Sequence, residues 1–322
     1  MTDSVQARRE AQLLFDIEPV IRLMDEACSS DAILNDAGIF VLDAYHRRWR
    51  KSAPALPEVQ RERILAAAAS LLGAEITHDQ PSLAGVLGSI RARIQGSVAP
   101  LSPSAEIVLR RPPMRIFTID DFDCAWIAAA IRDALVHRKN IVISGSTGSG
   151  KTRLLEAILR LAWELLQTQH IALLEDASEI RSPFELTSAR RVVPSAPLRA
   201  LVYQVLRLNP DRIVIGEVRG AEAHDLLKAW GTGHPGGITT IHASSAMGAL
   251  MRLEQLTMEA NVPPQQALIG EVVDLVLHIE HGGQVPAVVE GLYVNQFDAS
   301  CGEYLVQSLA PNARIGPNGP QE

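Results

Sequence analysis

Ile141-Val-Ile-Ser-Gly-Ser-Thr-Gly-Ser-Gly-Lys-Thr152 is the stretch that decides the fold of this chain. Three β-branched apolar residues run directly into a glycine-rich loop, and apolar residues at helical spacing follow from Leu154 to Leu165. Strand, glycine loop and helix are the context in which a G-x-x-x-x-G-K-[ST] match predicts a phosphate-binding loop. The alternative is a flexible glycine turn with an exposed lysine, which requires neither the strand nor the helix.

The chemistry of this loop suits the triphosphate of ATP bound with Mg2+. Its glycines let several backbone N–H groups converge on one anion, and the start of the next helix adds its dipole. Lys151 can reach the β- and γ-phosphates, and the Thr152 hydroxyl can ligate magnesium. The predicted nucleotide-binding residues are Gly145, Ser146, Thr147, Gly148, Ser149, Gly150, Lys151 and Thr152.

The composition of the 322-residue chain is that of a globular protein large enough for two domains. The formal charge of −7 argues against a large nucleic-acid-binding face, and no sequence-specific nucleic-acid binding is expected. Cys28, Cys124 and Cys301 have neither disulfide nor metal-ligand spacing, which favours a reducing cytoplasm. No apolar run is long enough to span a bilayer, so any membrane association is expected to be peripheral or through a partner.

Two domains are predicted from the order of the elements. Residues 1–112 form a small α+β domain, 113–118 a linker, 119–310 a second domain, and 311–322 a disordered tail. In the first domain, the predicted elements are helices over 5–28 and 58–72, a hairpin over 32–42, and strands over 87–94 and 106–109.

The second domain alternates buried strands with helices, which is typical of an α/β fold with a mostly parallel sheet. Its predicted strands cover 141–144, 170–174, 212–215, 237–241, 272–279 and 288–294. Ligands of such sheets bind beyond the carboxyl ends of the strands. Polar residues follow four of these strands, namely Lys151, Glu179, Glu217 and His242.

Carboxylates at two of these strand ends are candidates for metal binding and catalysis. Glu217 is suited to hold magnesium or its water shell, and the adjacent Arg219 favours a catalytic role over a simple helix cap. Glu175, Asp176 and Glu179 form a second acidic group, in which like charges can prepare a general base. The alternative for the second group is a capping box on a short helix.

Two histidines, His234 and His242, flank a Pro-Gly-Gly turn and a threonine-rich strand. Although a lone histidine is more often structural, this pair is predicted to sense the γ-phosphate. Zinc binding is a weaker alternative, because no cysteine or further carboxylate has ligand spacing here.

Taken together, these motifs resemble those of the secretion ATPase superfamily, which powers type II secretion, type IV secretion and type IV pili. Residues 145–152 look like its Walker A motif, 175–179 like its Asp box, 210–219 like its Walker B segment and 232–243 like its His box. The resemblance implies a RecA-like fold, ATP hydrolysis, Glu179 as the base and Glu217 as the acidic member of Walker B.

The segment 226–237 is close to conjugal-transfer ATPases, which favours the P-type conjugative branch of type IV secretion. This resemblance implies a homohexameric ring in the cytoplasm, peripheral to the inner membrane, which drives a secretion or conjugation channel. It also implies ATP bound between the two domains, with Arg93, Arg110 and Arg111 as candidate nucleotide contacts. The alternatives are a type IV pilus or type II secretion assembly ATPase, and a regulator that binds ATP without hydrolysing it.

Overall fold

Two separate β-sheets organise the chain in a computed structural model that describes residues 2–43, 48–111, 117–176, 179–281 and 286–309. The first sheet belongs to a unit over Met1–Ile116, and the second to a unit over Phe117–Glu322. We refer to these as unit 1 and unit 2. The predicted tail over 311–322 lies outside the described residues.

Unit 1 contains six antiparallel strands in the order β3-β2-β1-β6-β5-β4, with helices α1 and α2 packed on them. The helices are α1 (Thr2–Glu26) and α2 (Glu58–Leu71). The strands are β1 (Asp31–Asn35), β2 (Gly38–Leu42), β3 (Trp49–Ala53), β4 (Ser82–Leu87), β5 (Ala92–Ser97) and β6 (Glu106–Arg110). Alternate residues of the inner strands point into a core that α1 and α2 cover, as expected for a half-buried sheet.

The structure of unit 1 differs from the sequence prediction in two places. The single strand predicted over 87–94 is a hairpin, in which β4 and β5 are joined by a short 3₁₀ turn with Arg91 at φ +49°. Strand β3 was not predicted, because its exposed, charged sequence is typical of solvated loops as well as of edge strands.

Unit 2 contains eight strands in the order β14-β13-β12-β7-β11-β10-β8-β9. The six strands from β12 to β9 in this order are parallel, and β13 and β14 add an antiparallel hairpin at one edge. The strands are β7 (Ile141–Ser144), β8 (Ile171–Glu175), β9 (Thr187–Arg191), β10 (Arg212–Ile215), β11 (Ile238–Ile241), β12 (Leu275–Glu280), β13 (Ala287–Asp298) and β14 (Glu303–Leu309).

Helices cover both faces of this sheet, and each face has its own apolar core. The helices are α3 (Ala128–Val136), α4 (Lys151–Leu166), α5 (Leu198–Leu206), α6 (Glu222–Gly231), α7 (Ala246–Met258) and α8 (Gln266–Val272). The central strands are buried on both sides, which explains their continuous apolar sequences. This architecture confirms the predicted fold class. No helix among the described residues combines the length and the apolar character needed to cross a membrane.

Candidate active site

The loop between β7 and α4 has the backbone geometry of a phosphate cradle. Gly145 has φ +157°, and a Cβ atom there would lie 2.4 Å from the carbonyl oxygen of Ile279. Gly150 has φ +105° and immediately precedes α4. Only glycine meets both requirements without strain, so the chain reverses tightly and directs backbone N–H groups to one point.

Lys151 connects this loop to the neighbouring strand β11. Its ammonium group is almost completely buried and donates hydrogen bonds to the carbonyl oxygens of Gly145 and Ser146, both at 2.9 Å. A third hydrogen bond runs to Nδ1 of His242 at 3.1 Å. Burial lowers the pKa of Lys151 to about 8, and the nearby Glu217 carboxylate opposes this shift.

His242 extends the contact from Lys151 to the end of β10. Since Nδ1 accepts the lysine hydrogen bond, the imidazole proton is assigned to Nε2, which lies 2.7 Å from Oε1 of Glu217. That Oε1 atom is buried and has no hydrogen bond of acceptable geometry within the described ranges, so we treat the contact as electrostatic.

Arg219 continues the same series of contacts to β8. Its guanidinium donates to Oε2 of Glu217 at 2.7 Å and to Oδ2 of Asp176 at 2.8 Å. Four strand ends, those of β7, β11, β10 and β8, are therefore connected through polar side chains that run from Lys151 to Asp176. We call this series, Lys151-His242-Glu217-Arg219-Asp176, the polar chain.

Glu175 and Glu179 lie at the same edge of the sheet. Oε1 of Glu175 accepts hydrogen bonds from the backbone N–H groups of Glu179 at 3.0 Å and Ile180 at 2.8 Å, and thereby fixes the segment that carries Glu179. Burial raises the pKa of Glu175 to about 7. The hydrogen bond to Glu217 is the main cause of the raised pKa of Arg219, and the charges of Asp176 and Glu179 add to it.

Thr152 and Glu217, which the sequence predicts as magnesium ligands, both carry oxygen donors. Thr152 lies in the first turn of α4, and the buried Oε1 of Glu217 is not satisfied by a hydrogen bond. A hydroxyl and a carboxylate are the donors that Mg2+ prefers, with water completing its shell. The described residues contain no group of three or more His, Cys, Asp or Glu side chains arranged to hold a metal ion by themselves.

His234 is not part of this cluster, and the pairing of the two histidines is corrected accordingly. It precedes β11, on the rim where the Asn140 side chain accepts hydrogen bonds from Gly236 and Gly237, both at 2.8 Å. His242 follows the same strand, so about 13 Å of extended chain separates the two rims. Proximity in sequence therefore did not indicate a shared site.

The three arginines predicted in the first domain differ in their surroundings within unit 1. Arg93 and Arg110 are exposed and lie directly opposite each other on β5 and β6, so both side chains are on one face. Arg111 is buried, and its guanidinium lies 3.2 Å from Asp25, which favours a structural role.

One buried polar pair beneath the loop was not predicted. Nδ1 of His278 lies 2.9 Å from Oγ of Ser144, the residue before Gly145. The available signal was a histidine within the apolar strand 275–279. Its partner is 134 residues away in sequence, so the pair depends on the parallel register of β7 and β12.

The fold and this site together define a P-loop ATPase. A family model described as "Type II/IV secretion system protein" matches residues 83–308. The conjugal transfer protein TrbB of Rhizobium radiobacter is 36% identical over 280 residues, covering 85% of this chain and 86% of that protein. The type IV secretion system protein VirB11 of Brucella suis biovar 1 is 25% identical over 328 residues, covering 87% and 89%.

A solved structure agrees at the level of the fold. The X-ray structure of the Legionella pneumophila ATPase DotB has a TM-score of 0.63 and 21% sequence identity, and the match covers 88% of this chain and 81% of that chain. The chain therefore belongs to the type II/IV secretion system family of ATPases.

Proposed function

We propose that this chain hydrolyses ATP to power a type IV secretion apparatus of the conjugal transfer kind at the inner membrane. The observation that carries the proposal is the polar chain, which joins the phosphate loop to the ends of β10, β11 and β8. The similarity to the conjugal transfer protein TrbB over 85% of the chain supports the conjugative branch.

The residues have distinct roles in the proposed reaction. Lys151 stabilises negative charge on the β- and γ-phosphates, and the loop N–H groups hold the triphosphate in place. Glu179 positions the attacking water and accepts its proton, while Glu175 is a positioning residue for Glu179. A magnesium ion held by Thr152 and, partly through water, by Glu217 would neutralise phosphate charge.

His242 and Arg219 couple phosphate binding to the carboxylates. A γ-phosphate that draws Lys151 away from Nδ1 of His242 also changes the environment of Glu217, because His242 contacts both. Arg219 connects that change to Asp176. Binding or loss of the γ-phosphate would thereby change side-chain contacts at the ends of the neighbouring strands.

The proposed assembly is a homohexamer on the cytoplasmic side of the inner membrane, with channel proteins as partners. Within it, we assign Arg93 and Arg110 to nucleotide phosphates, because their shared charged face suits an anion. Native mass measurement with and without ATP tests the hexamer, and pull-down of inner-membrane proteins tests the partners.

Lys151→Ala tests the catalytic assignment directly. Phosphate release from ATP is expected to fall at least about 100-fold, because the charge on the departing phosphates loses its main stabilising group. Lys228→Ala, at an exposed position on α6, is the matched control. Turnover equal to that of the unmodified protein would overturn the proposal.

Glu179→Gln separates hydrolysis from binding. We expect ATP to bind this variant with its original affinity while phosphate release is lost, since the variant keeps the cradle and removes the base. Tight ATP binding by the unmodified protein with negligible phosphate release would instead support a regulator that does not hydrolyse ATP.

A further inference from the structure

An aromatic and cationic pair lies beside the phosphate loop, at the start of unit 2. The guanidinium carbon of Arg153 lies 4.9 Å from the centroid of the Phe117 ring. Arg153 directly follows Thr152 in the first turn of α4. Both side chains are half-buried, so each retains exposed surface.

The contacts of Lys151 indicate which end of a nucleotide faces this pair. Its ammonium group points toward β11, where it contacts His242, and the carboxylate of Glu217 on β10 follows. The γ-phosphate therefore lies on the β11 and β10 side of β7. In the sheet, β12 lies on the opposite side of β7. A triphosphate that runs across the loop thus directs its ribose and base toward the β12 side.

Phe117 belongs to a segment that is fixed on that opposite side. Asp123 donates its N–H to the carbonyl of Pro286 and accepts from the N–H of Val288, both at 3.2 Å. Pro286 in turn lies beside the loop, since a Cβ atom at Gly150 would be 3.4 Å from it. Thr118 and Asp121 form a capping box that orders the intervening turn.

We propose that Phe117 and Arg153 form the surface on which the nucleobase of the bound nucleotide packs. This inference rests on the proposed function and adds the part of the site that recognises the base. A guanidinium over an aromatic ring adds a planar cation to it, and planar cations and aromatic rings both stack on bases. Loss of such stacking weakens nucleotide binding without affecting the phosphates.

A purely structural pair predicts a different result. If the contact between Phe117 and Arg153 only holds the start of unit 2 against α4, its loss lowers the stability of the protein. It then weakens the binding of every ligand of the loop to the same extent. If the pair packs against the base, its loss affects only ligands that carry a base. Inorganic tripolyphosphate keeps the phosphates of ATP and lacks the nucleoside, so it separates these two cases.

The experiment measures the affinities of the full-length protein for ATP and for inorganic tripolyphosphate, both with Mg2+, by calorimetry. Phe117→Leu is expected to weaken ATP binding about tenfold, within the range for a lost base stack, and to leave tripolyphosphate affinity unchanged. Phe117→Tyr keeps the ring and should restore ATP affinity. Trp163→Leu, at a partly exposed aromatic residue farther along α4, is the matched control.

The outcomes distinguish this inference from the proposed function. Equal loss of both affinities in Phe117→Leu, or loss of neither, would overturn the base-packing surface. Absence of binding of both ligands to the unmodified protein would overturn the proposed function itself.

A measurement without substitution covers the case in which Phe117→Leu does not fold. Photolabelling of the unmodified protein with 8-azido-ATP should modify peptides that contain Phe117 or Arg153. Labelling confined to other peptides would refute the inference.

Discussion

Glu175 has its carboxyl group buried at the end of β8, and the fold opposes its ionisation. Its pKa is raised from the ordinary 4.5 to about 7 by desolvation, although two backbone N–H groups partly offset the effect. A carboxyl whose pKa is higher in the folded than in the unfolded state favours folding below pH 4.5. This contribution is lost as pH rises through about 7.

Glu175→Gln is therefore expected to change the pH dependence of stability. The glutamine oxygen can accept the same two N–H groups but carries no charge. Relative to the unmodified protein, the variant should gain up to about 3 kcal/mol in free energy of unfolding between pH 5 and pH 8. Urea titrations at both pH values measure this. Glu185→Gln, at an exposed carboxylate, is the control, and an equal pH response of both variants would contradict the argument.

A second prediction at the residue scale concerns His242. It is the side chain that contacts both Lys151 and the buried oxygen of Glu217. His242→Ala should lower kcat for ATP about 100-fold and change KM much less, because the connection matters when charge develops on the γ-phosphate. Steady-state phosphate release measures both constants, with His137→Ala at an exposed site as control. A change confined to KM would show that His242 only binds the ground state.

At the scale of elements, the side chain of Asn140 connects three parts of unit 2 through hydrogen bonds. Its side-chain oxygen accepts from Gly236 and Gly237, its amide donates to the carbonyl of Val272 at 2.7 Å, and its backbone precedes β7. The amino ends of β7 and β11 and the end of α8 are thereby held in register. The carboxyl ends of the two strands, which carry Lys151 and His242, depend on that register.

Asn140→Ala should consequently destabilise unit 2 by about 3 kcal/mol, because two buried N–H groups lose their acceptor. Asn140→Asp keeps the acceptor and should retain part of that stability. Asn295→Ala, at an exposed position on β13, provides the baseline. Chemical denaturation measures the effect. Equal denaturation midpoints for the alanine variants at 140 and 295 would show that the side-chain hydrogen bonds of Asn140 do not contribute to stability.

Local sequence predicted the elements of the site better than their positions in space. The loop from Gly145 to Thr152 was predictable because its chemistry depends on neighbours in the chain. The predicted strand over 237–241 already separated His234 from His242, and the prediction of a shared site overlooked that the two histidines lie at opposite ends of it. Contacts such as Asn140 to Gly236 span 96 residues and leave no local pattern. Strands β9 and β14 were missed because polar edge strands lack a continuous apolar run.

At the scale of the whole molecule, the two units have separate apolar cores. The core of unit 1 consists of residues from α1, α2 and its own sheet, whereas unit 2 has one core on each face of its sheet. Arg61 is a buried charged residue of unit 1. Although almost fully buried, it donates to the carbonyl oxygens of Ala105 at 2.7 Å and Leu56 at 2.6 Å, and it pairs with Asp36.

Arg61→Met tests whether the units are independent in stability. The variant keeps an apolar stem but leaves those carbonyl groups without their donor, which should cost about 2 kcal/mol. In calorimetry of the full chain, we expect the transition of unit 1 to fall by about 10 °C, while that of unit 2 stays in place. Arg8→Met, at an exposed position on α1, is the control.

The affinity of the Arg61→Met variant for tripolyphosphate should not change, because every residue of the phosphate loop belongs to unit 2. A single transition that shifts as a whole, together with weaker tripolyphosphate binding, would instead show that the stability of the phosphate loop depends on unit 1.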